Sequence, residues 1–325
     1  DEAIEFLSYD IQQHTLRELD SHQIRGKHVF DGLNNATLEW MGSFSETSED
    51  TPISRSYTFI EFVYPNNEND FLWIYGGNPR YPERTYGTLE DTKDNYTVDL
   101  TLPIRWEAIT ALSFKAGASI VDADRVSLQR TYSYDWSLAI PGRDPDSRLE
   151  FFERIEEEVW IDGDVEGFGR GAVDIEELTT TSGNARSYFG KEDVTGYYLM
   201  GDIEVTDWLR FIGGARIETT EMRVETNKDF VNPALFLNGN DVGEIDEEDV
   251  LPAIHSVIRL GEEGTMNLRF SYGKTLARPT FREFSPFRSF DTQTRSIVQG
   301  NPNLERTLVD NFDARWEWFY KPGEV

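Results

Sequence analysis

The chain has 325 residues, with 31 Lys+Arg against 60 Asp+Glu and a net charge of −29. That balance excludes a nucleic-acid partner, which needs a basic footprint, and it argues against charge-driven docking on an anionic lipid surface. With no cysteine there is no disulfide framework and no thiol chemistry. Hydrophobic residues make up 38%, aromatics are abundant (8 Trp, 14 Tyr, 21 Phe), and no apolar run approaches the roughly 18–20 residues of a membrane helix. Asp1-Glu2-Ala3 does not open a signal peptide, so the expectation is a cleaved leader or a longer chain.

Alternation of period 2 recurs along the chain. Ala36, Leu38, Trp40, Gly42 and Phe44 share one face, and Tyr96, Val98, Leu100, Leu102 and Ile104 another. Leu112, Phe114, Ala116 and Ala118 alternate with Ser113, Lys115, Gly117 and Ser119. Tyr197, Leu199, Gly201, Ile203 and Val205 follow, then Leu209, Phe211, Gly213, Ala215 and Ile217. Met266, Leu268, Phe270 and Tyr272 oppose Asn267, Arg269 and Ser271, and Phe312, Ala314, Trp316, Trp318 and Tyr320 oppose Asp313, Arg315 and Glu317. Such alternation predicts half-buried strands, about nine or ten in all.

Short turns are expected near Phe30–Asn35, Pro103–Glu107, Val205–Asp207, Gly261–Thr265 and Lys321–Glu324. Long segments separate them, at about Ser45–Asp94, Asp122–Thr195, Met222–Asp249 and Thr275–Leu308. Structureless loops of that length count against a compact soluble domain. They suit an all-β, antiparallel up-and-down transmembrane β-barrel, with short periplasmic turns and long extracellular loops. On that reading Met266–Lys274 is a spanning strand, its apolar set faces lipid, and pairing weakens at Pro279, which has no N–H to give. Trp208, Trp316, Trp318 and Tyr320 would sit in aromatic girdles, or make ordinary cross-strand pairs. A soluble all-β carbohydrate-active enzyme or glycan-binding module remains the alternative.

Two C-terminal motifs carry a family resemblance. The first is "LRFSYGKTLARPTFREFSPF", with Ser271, Tyr272, Thr275, Arg278 and Pro279. The second is "GNPNLERTLVDNFDARWEWFYKPGE", with Gly300, Asn301, Pro302, Leu304, Asp310, Asn311, Phe312, Pro322 and Gly323. Together they resemble the C-terminal barrel region of TonB-dependent outer-membrane receptors, most specifically over residues 194–325. The resemblance implies that residues 1–325 are part of one barrel domain, without an N-terminal plug, a TonB box or the last strands. It implies a non-enzymatic transporter of the bacterial outer membrane. A scarce nutrient (a ferric siderophore, cobalamin, haem or an oligosaccharide) would be taken up with energy from TonB and its inner-membrane complex, acting through the plug. No cofactor is expected.

Arg278, Arg282 and Arg288 form a basic island in this acidic chain. They are the candidate ligand-binding residues, for an anionic ligand or a lipid phosphate. The favoured reading of the three is internal pairing with Glu283 or with lumen carboxylates. Tyr272, Pro279, Gly300, Asn301, Pro302, Asp310 and Asn311 are assigned structural roles, Asn301-Pro302 as a turn. Catalytic and metal-ligand residues are not assigned. Asp122/Asp124, Asp144/Asp146 and Asp246–Asp249 offer hard oxygens to Ca²⁺ but lack EF-hand spacing and read as solvated faces. His14, His22, His28 and His255 show no metal spacing, and Gly167–Gly171 reads as a loop.

Overall fold

In a computed structural model, the residues described are 4–63, 69–73, 83–135, 174–177, 187–226, 242–261, 265–285, 288–291 and 296–319. The strands are β1 (Ile4–Phe30), β2 (Ala36–Val63), β3 (Asn69–Trp73), β4 (Glu83–Ile104), β5 (Ala111–Asp135), β6 (Asp174–Glu177) and β7 (Tyr188–Thr206). They continue with β8 (Leu209–Thr226), β9 (Val242–Leu260), β10 (Met266–Ala277), β11 (Arg288–Asp291), β12 (Ser296–Gln299) and β13 (Thr307–Trp318). One short helix, α1 (Phe281–Phe284), follows β10.

Nine strands form one antiparallel sheet in the order β1-β2-β4-β5-β7-β8-β9-β10-β13, with β3 beside β2 and β6 beside β5. A separate two-stranded hairpin joins β11 to β12. Each neighbour in the main sheet is the next long strand in sequence. That is the up-and-down order expected, and among the described strands the sheet does not close on itself.

Register aligns chemistry across the sheet. Leu102, Phe114, Gly201, Gly213, Ile254, Tyr272 and Phe312 stand in one row across seven consecutive strands. Rows on either side add Val98, Leu100, Leu199, Ile203, Phe211, Ile217 and Phe270 to the same face. Its large apolar side chains are exposed: Leu199 keeps 61% of its surface and Tyr197 as much. A two-sheet sandwich would bury them. A spanning strand of about 9–11 residues facing hydrocarbon leaves them as they are. Phe44 and Tyr96 meet edge-on at the upper margin of this belt (centroids 5.6 Å apart), and Trp106 and Trp208 lie exposed in the turns at the lower margin.

The opposite face carries Asp99, Gly117, Tyr198 and Arg216 in one row. The polar set predicted for β10 (Asn267, Arg269, Ser271) lies there too, opposite Glu317, Arg315 and Asp313. Short connections join β1 to β2, β4 to β5, β7 to β8 and β9 to β10 at one rim.

The strands run much farther from that rim than hydropathy suggests. β1 has 27 residues and β2 has 28, a contour of about 90 Å. Much of the segment expected as loop, Ser45–Ser56 and Glu83–Asp94, is paired strand. Beyond the lipid both faces meet water, so the alternation of apolar residues ends while the hydrogen-bond ladder continues. The predicted Pro103–Glu107 turn shifts by a residue or two, because β4 continues through Ile104.

Candidate functional site

The inner wall is lined with ion pairs and hydrogen bonds within and between strands. Near the short-turn rim Arg210 Nε donates to Asp202 (2.8 Å), Arg259 pairs with Glu204, and Arg269 Nε donates to Glu317 (2.9 Å). At mid-height Tyr198 donates to Asp99, and Lys115 stands 3.6 Å from Asp99 and 5.7 Å from the Tyr198 ring centroid. Arg216 Nε donates to Glu218 (2.6 Å) and its Nη2 to Ser119 (2.8 Å). Higher still, Arg125 grips Asp91 with two hydrogen bonds, at 2.7 and 3.2 Å. Charged groups on the lipid face at this depth would be costly; on the inner face they pair across the ladder.

Above these rows the chain after β10 folds back onto the wall. Pairing of β10 with β13 ends at Ala277 and Thr307, two residues before Pro279. Thr280 caps α1: its hydroxyl accepts from the Glu283 N–H, and the Glu283 carboxylate accepts from the Thr280 N–H at 2.8 Å, a capping box. The two donors from Thr280, backbone first and hydroxyl second, hold the Glu283 carboxyl below its ordinary pKa. The helix turns Phe281 and Phe284 into the wall, where they join Ala123, Tyr188, Met222, Val224 and Ile245 in one buried cluster. Phe284 and Val224 are both 0% exposed. Two glycines make the seat: a Cβ at Gly190 would lie 2.6 Å from the Phe281 ring, and one at Gly243 2.9 Å from the Phe284 ring.

Both ends of this strap are tied by arginines. Arg278 pairs with Glu218 and stands 3.8 Å from Glu192, while its Nε and Nη2 donate to Thr220 Oγ1 at 3.0 and 2.8 Å. Arg306 Nε donates to Asp249 (2.6 Å), and its Nη1 meets Glu247 at 3.1 Å. The Asp249 carboxylate, ahead of Glu247, raises the pKa of Arg306 further. The Asn301 N–H donates to the Glu283 carbonyl (2.7 Å), and Gly300 packs against the Ser285 carbonyl with no room for a Cβ. Asn301 Oδ1 accepts from the Asn303 N–H, closing the turn around buried Pro302.

The remaining motif residues clamp β10 to β13. Tyr272 donates to Asp310 (2.8 Å) and its ring lies 4.8 Å from that of Phe312. Asn311 Nδ2 donates to the Gly273 carbonyl (3.3 Å) and to Thr275 Oγ1 (3.1 Å).

The side chains of two of the three candidate arginines are described. Arg278 is anchored in the wall, and Arg282 is exposed on the far side of α1. Arg288 opens β11, and its side chain is outside the described residues, as are Asp144/Asp146, Gly167–Gly171, Tyr320 and Lys321–Glu324. Asp122 and Asp246 fall in one outward row with Asp94, Asp193 and Glu221. Among the described residues no group of three or more His, Cys, Asp or Glu side chains is arranged to hold a metal ion.

Sequence reasoning did not single out Phe281, Phe284, Gly190, Gly243, Glu192 or Glu218. The readable signal was the capping-box spacing of Thr280 and Glu283. The wall partners lie from 41 (Phe284 to Gly243) to 91 residues (Phe281 to Gly190) away along the chain, and no local pattern announces them.

Residues 172–323 match the model of the outer membrane protein beta-barrel family. No curated protein matches the chain. Among solved structures it is similar to the alcaligin outer-membrane receptor FauA from Bordetella pertussis: 11% identity, 97% of this chain, 40% of that one, TM-score 0.39. It is similar also to the ferric citrate transporter FecA in its unliganded form (9%, 85%, 37%, 0.38). A third is P. aeruginosa FpvA in a pyoverdine–iron complex (13%, 94%, 40%, 0.41). The chain spans about two fifths of the length of these structures. The outward apolar belt and the paired inner wall agree with the family match over residues 172–323, and the place of the chain is the bacterial outer membrane.

Proposed function

We propose that this chain supplies part of the barrel wall of a TonB-dependent receptor, which takes up a scarce nutrient across the outer membrane with energy from the inner-membrane TonB complex. Ferric siderophore, cobalamin, haem and oligosaccharide are the substrate classes that fit this reading. Lipid contacts the outward belt, and the ligand is met by the tall inner wall and the strap upon it. Arg282 and Arg288 remain the candidate ligand contacts, while Arg278 serves by fixing the strap. The observation that carries the reading is the mutual clamping of the two motifs. Tyr272 with Asp310, Thr275 with Asn311, and Glu283 with Asn301 join the segments that resemble this receptor family.

The test is uptake in the native bacterium. Cells with and without the gene are given radiolabelled ferric citrate, a ferric hydroxamate, cyanocobalamin, haemin and maltodextrin in turn, with and without a protonophore. The proposal expects accumulation of at least one probe to require both the gene and an energised inner membrane. Gene-dependent accumulation that persists with the protonophore would point to a passive pore instead. Recovery of the protein in the soluble fraction would end the receptor reading.

A further inference from the structure

The two described arms of the strap, Arg278–Ser285 and Gly300–Arg306, lie on the polar face of the sheet. Among the described residues that face carries most of the ion pairs between strands. Under the arms it is apolar, with Ala123, Tyr188, Met222, Val224 and Ile245 from four neighbouring strands, β5, β7, β8 and β9. We infer that these arms are a permanent ledge built into the extracellular vestibule, and that their exposed edge, with Thr280, Arg282, Glu283 and Leu304, is a fixed ligand-facing surface. The inference rests on the receptor reading only for what passes the ledge.

Four independent features hold the arms down. Phe281 and Phe284 fill recesses that exist because residues 190 and 243 are glycines. Each end is tied by an arginine to two carboxylates, Arg278 to Glu192 and Glu218, Arg306 to Glu247 and Asp249. The arms are joined to each other through Asn301 N–H and the Glu283 carbonyl. The helix within the first arm carries its own capping box. Lifting the ledge would break the two arginine anchors and expose both aromatic rings together with the apolar seat beneath them. A gate needs two arrangements of comparable free energy; this contact set favours one. The edge opposite the seat is exposed at Thr280, Arg282, Glu283 and Leu304, so it faces the interior through which a ligand moves.

These 325 residues contain no cysteine, so in intact cells that make the full receptor each introduced cysteine is read against the same receptor without it. Val224→Cys and Met222→Cys are placed beneath the ledge and Arg282→Cys on its exposed edge. Each is treated with a membrane-impermeant maleimide, with and without a protonophore. The ledge predicts labelling at 224 and 222 at least about tenfold slower than at 282, unchanged by energisation. Adding Phe281→Ala and Phe284→Ala to Val224→Cys should erase the protection. Equal labelling at 224 and 282 in an intact strap would overturn the docking. Protection lost only in energised cells would overturn permanence and make the arms a gate. Slow labelling at 282 would show that the edge is covered. A receptor that takes up none of the nutrients yet keeps this labelling pattern leaves the ledge standing and removes the transport reading alone.

Discussion

Leu199 lies near the middle of the outward belt on β7, about six residues from the carboxylate row at Asp193 and about seven from the strand end at Thr206. At about 3.3 Å per residue and a tilt near 40°, it sits roughly 15 Å from either margin. An arginine side chain reaching about 6 Å toward one margin would still leave its charge in hydrocarbon. Leu199→Arg should therefore destabilise the barrel by about 2–4 kcal/mol. Leu199→Phe, which changes volume but not charge, should cost little. Ser113→Arg, on the inner face of β5 opposite Asp202, should change stability by no more than about 1 kcal/mol. The assay is reversible guanidinium unfolding of the full receptor in phosphatidylcholine vesicles, followed by Trp fluorescence. A cost for Leu199→Arg below about 1 kcal/mol, or no larger than that for Ser113→Arg, would refute the assignment of the two faces.

Gly243→Leu places a side chain where the Phe284 ring now rests. It should cost about 1–3 kcal/mol by overpacking, read as a lower thermal midpoint and as protease cleavage within the strap. Arg278→Met leaves Glu192 and Glu218 facing each other across part-buried surroundings, with an expected loss of about 1–3 kcal/mol. Adding Glu218→Gln should recover part of that loss, which a double-mutant cycle in the same unfolding assay measures. Glu283 has a depressed pKa, so its capping contribution is present above the ordinary glutamate pKa of about 4.3 and is lost as pH falls through the lower folded value. Protection of Val224→Cys from labelling should hold at neutral pH and weaken only in acid. Glu283→Gln should remove that acid dependence.

Much of the barrel was legible because lipid imposes a rule on alternate residues. Wherever one face meets hydrocarbon and the other meets water, a run such as Leu100, Leu102 and Ile104 against Thr101 and Pro103 reports its own strand and its own inside. The assignment of Met266, Leu268, Phe270 and Tyr272 to one face and Asn267, Arg269 and Ser271 to the other follows from it and matches the register. The rule falls silent above the belt. Glu90, Asp91 and Thr92 pair as regularly as Leu100 does, but both faces there are polar, so a paired strand and a solvated loop have the same composition. The strap was opaque for another reason. Phe281 and Phe284 look like loop aromatics, and their burial depends on Gly190 and Gly243, two glycines that read as ordinary strand residues. Arg278 was read as pairing internally or contacting a ligand, and which carboxylates it meets is a matter of sheet register, not of spacing.

The length of the strands has a consequence for how a ligand is received. Past Phe44, β2 continues for about 19 residues, which at the same tilt raises its end roughly 45–50 Å above the apolar belt. A molecule approaching from outside therefore meets hydrogen-bonded sheet well before it reaches the depth of the lipid. Residues displayed on a ladder have already given up their backbone freedom during folding. Contacts made there need little further ordering, and more of their interaction energy survives as affinity than when the same side chains must first be fixed in a free loop.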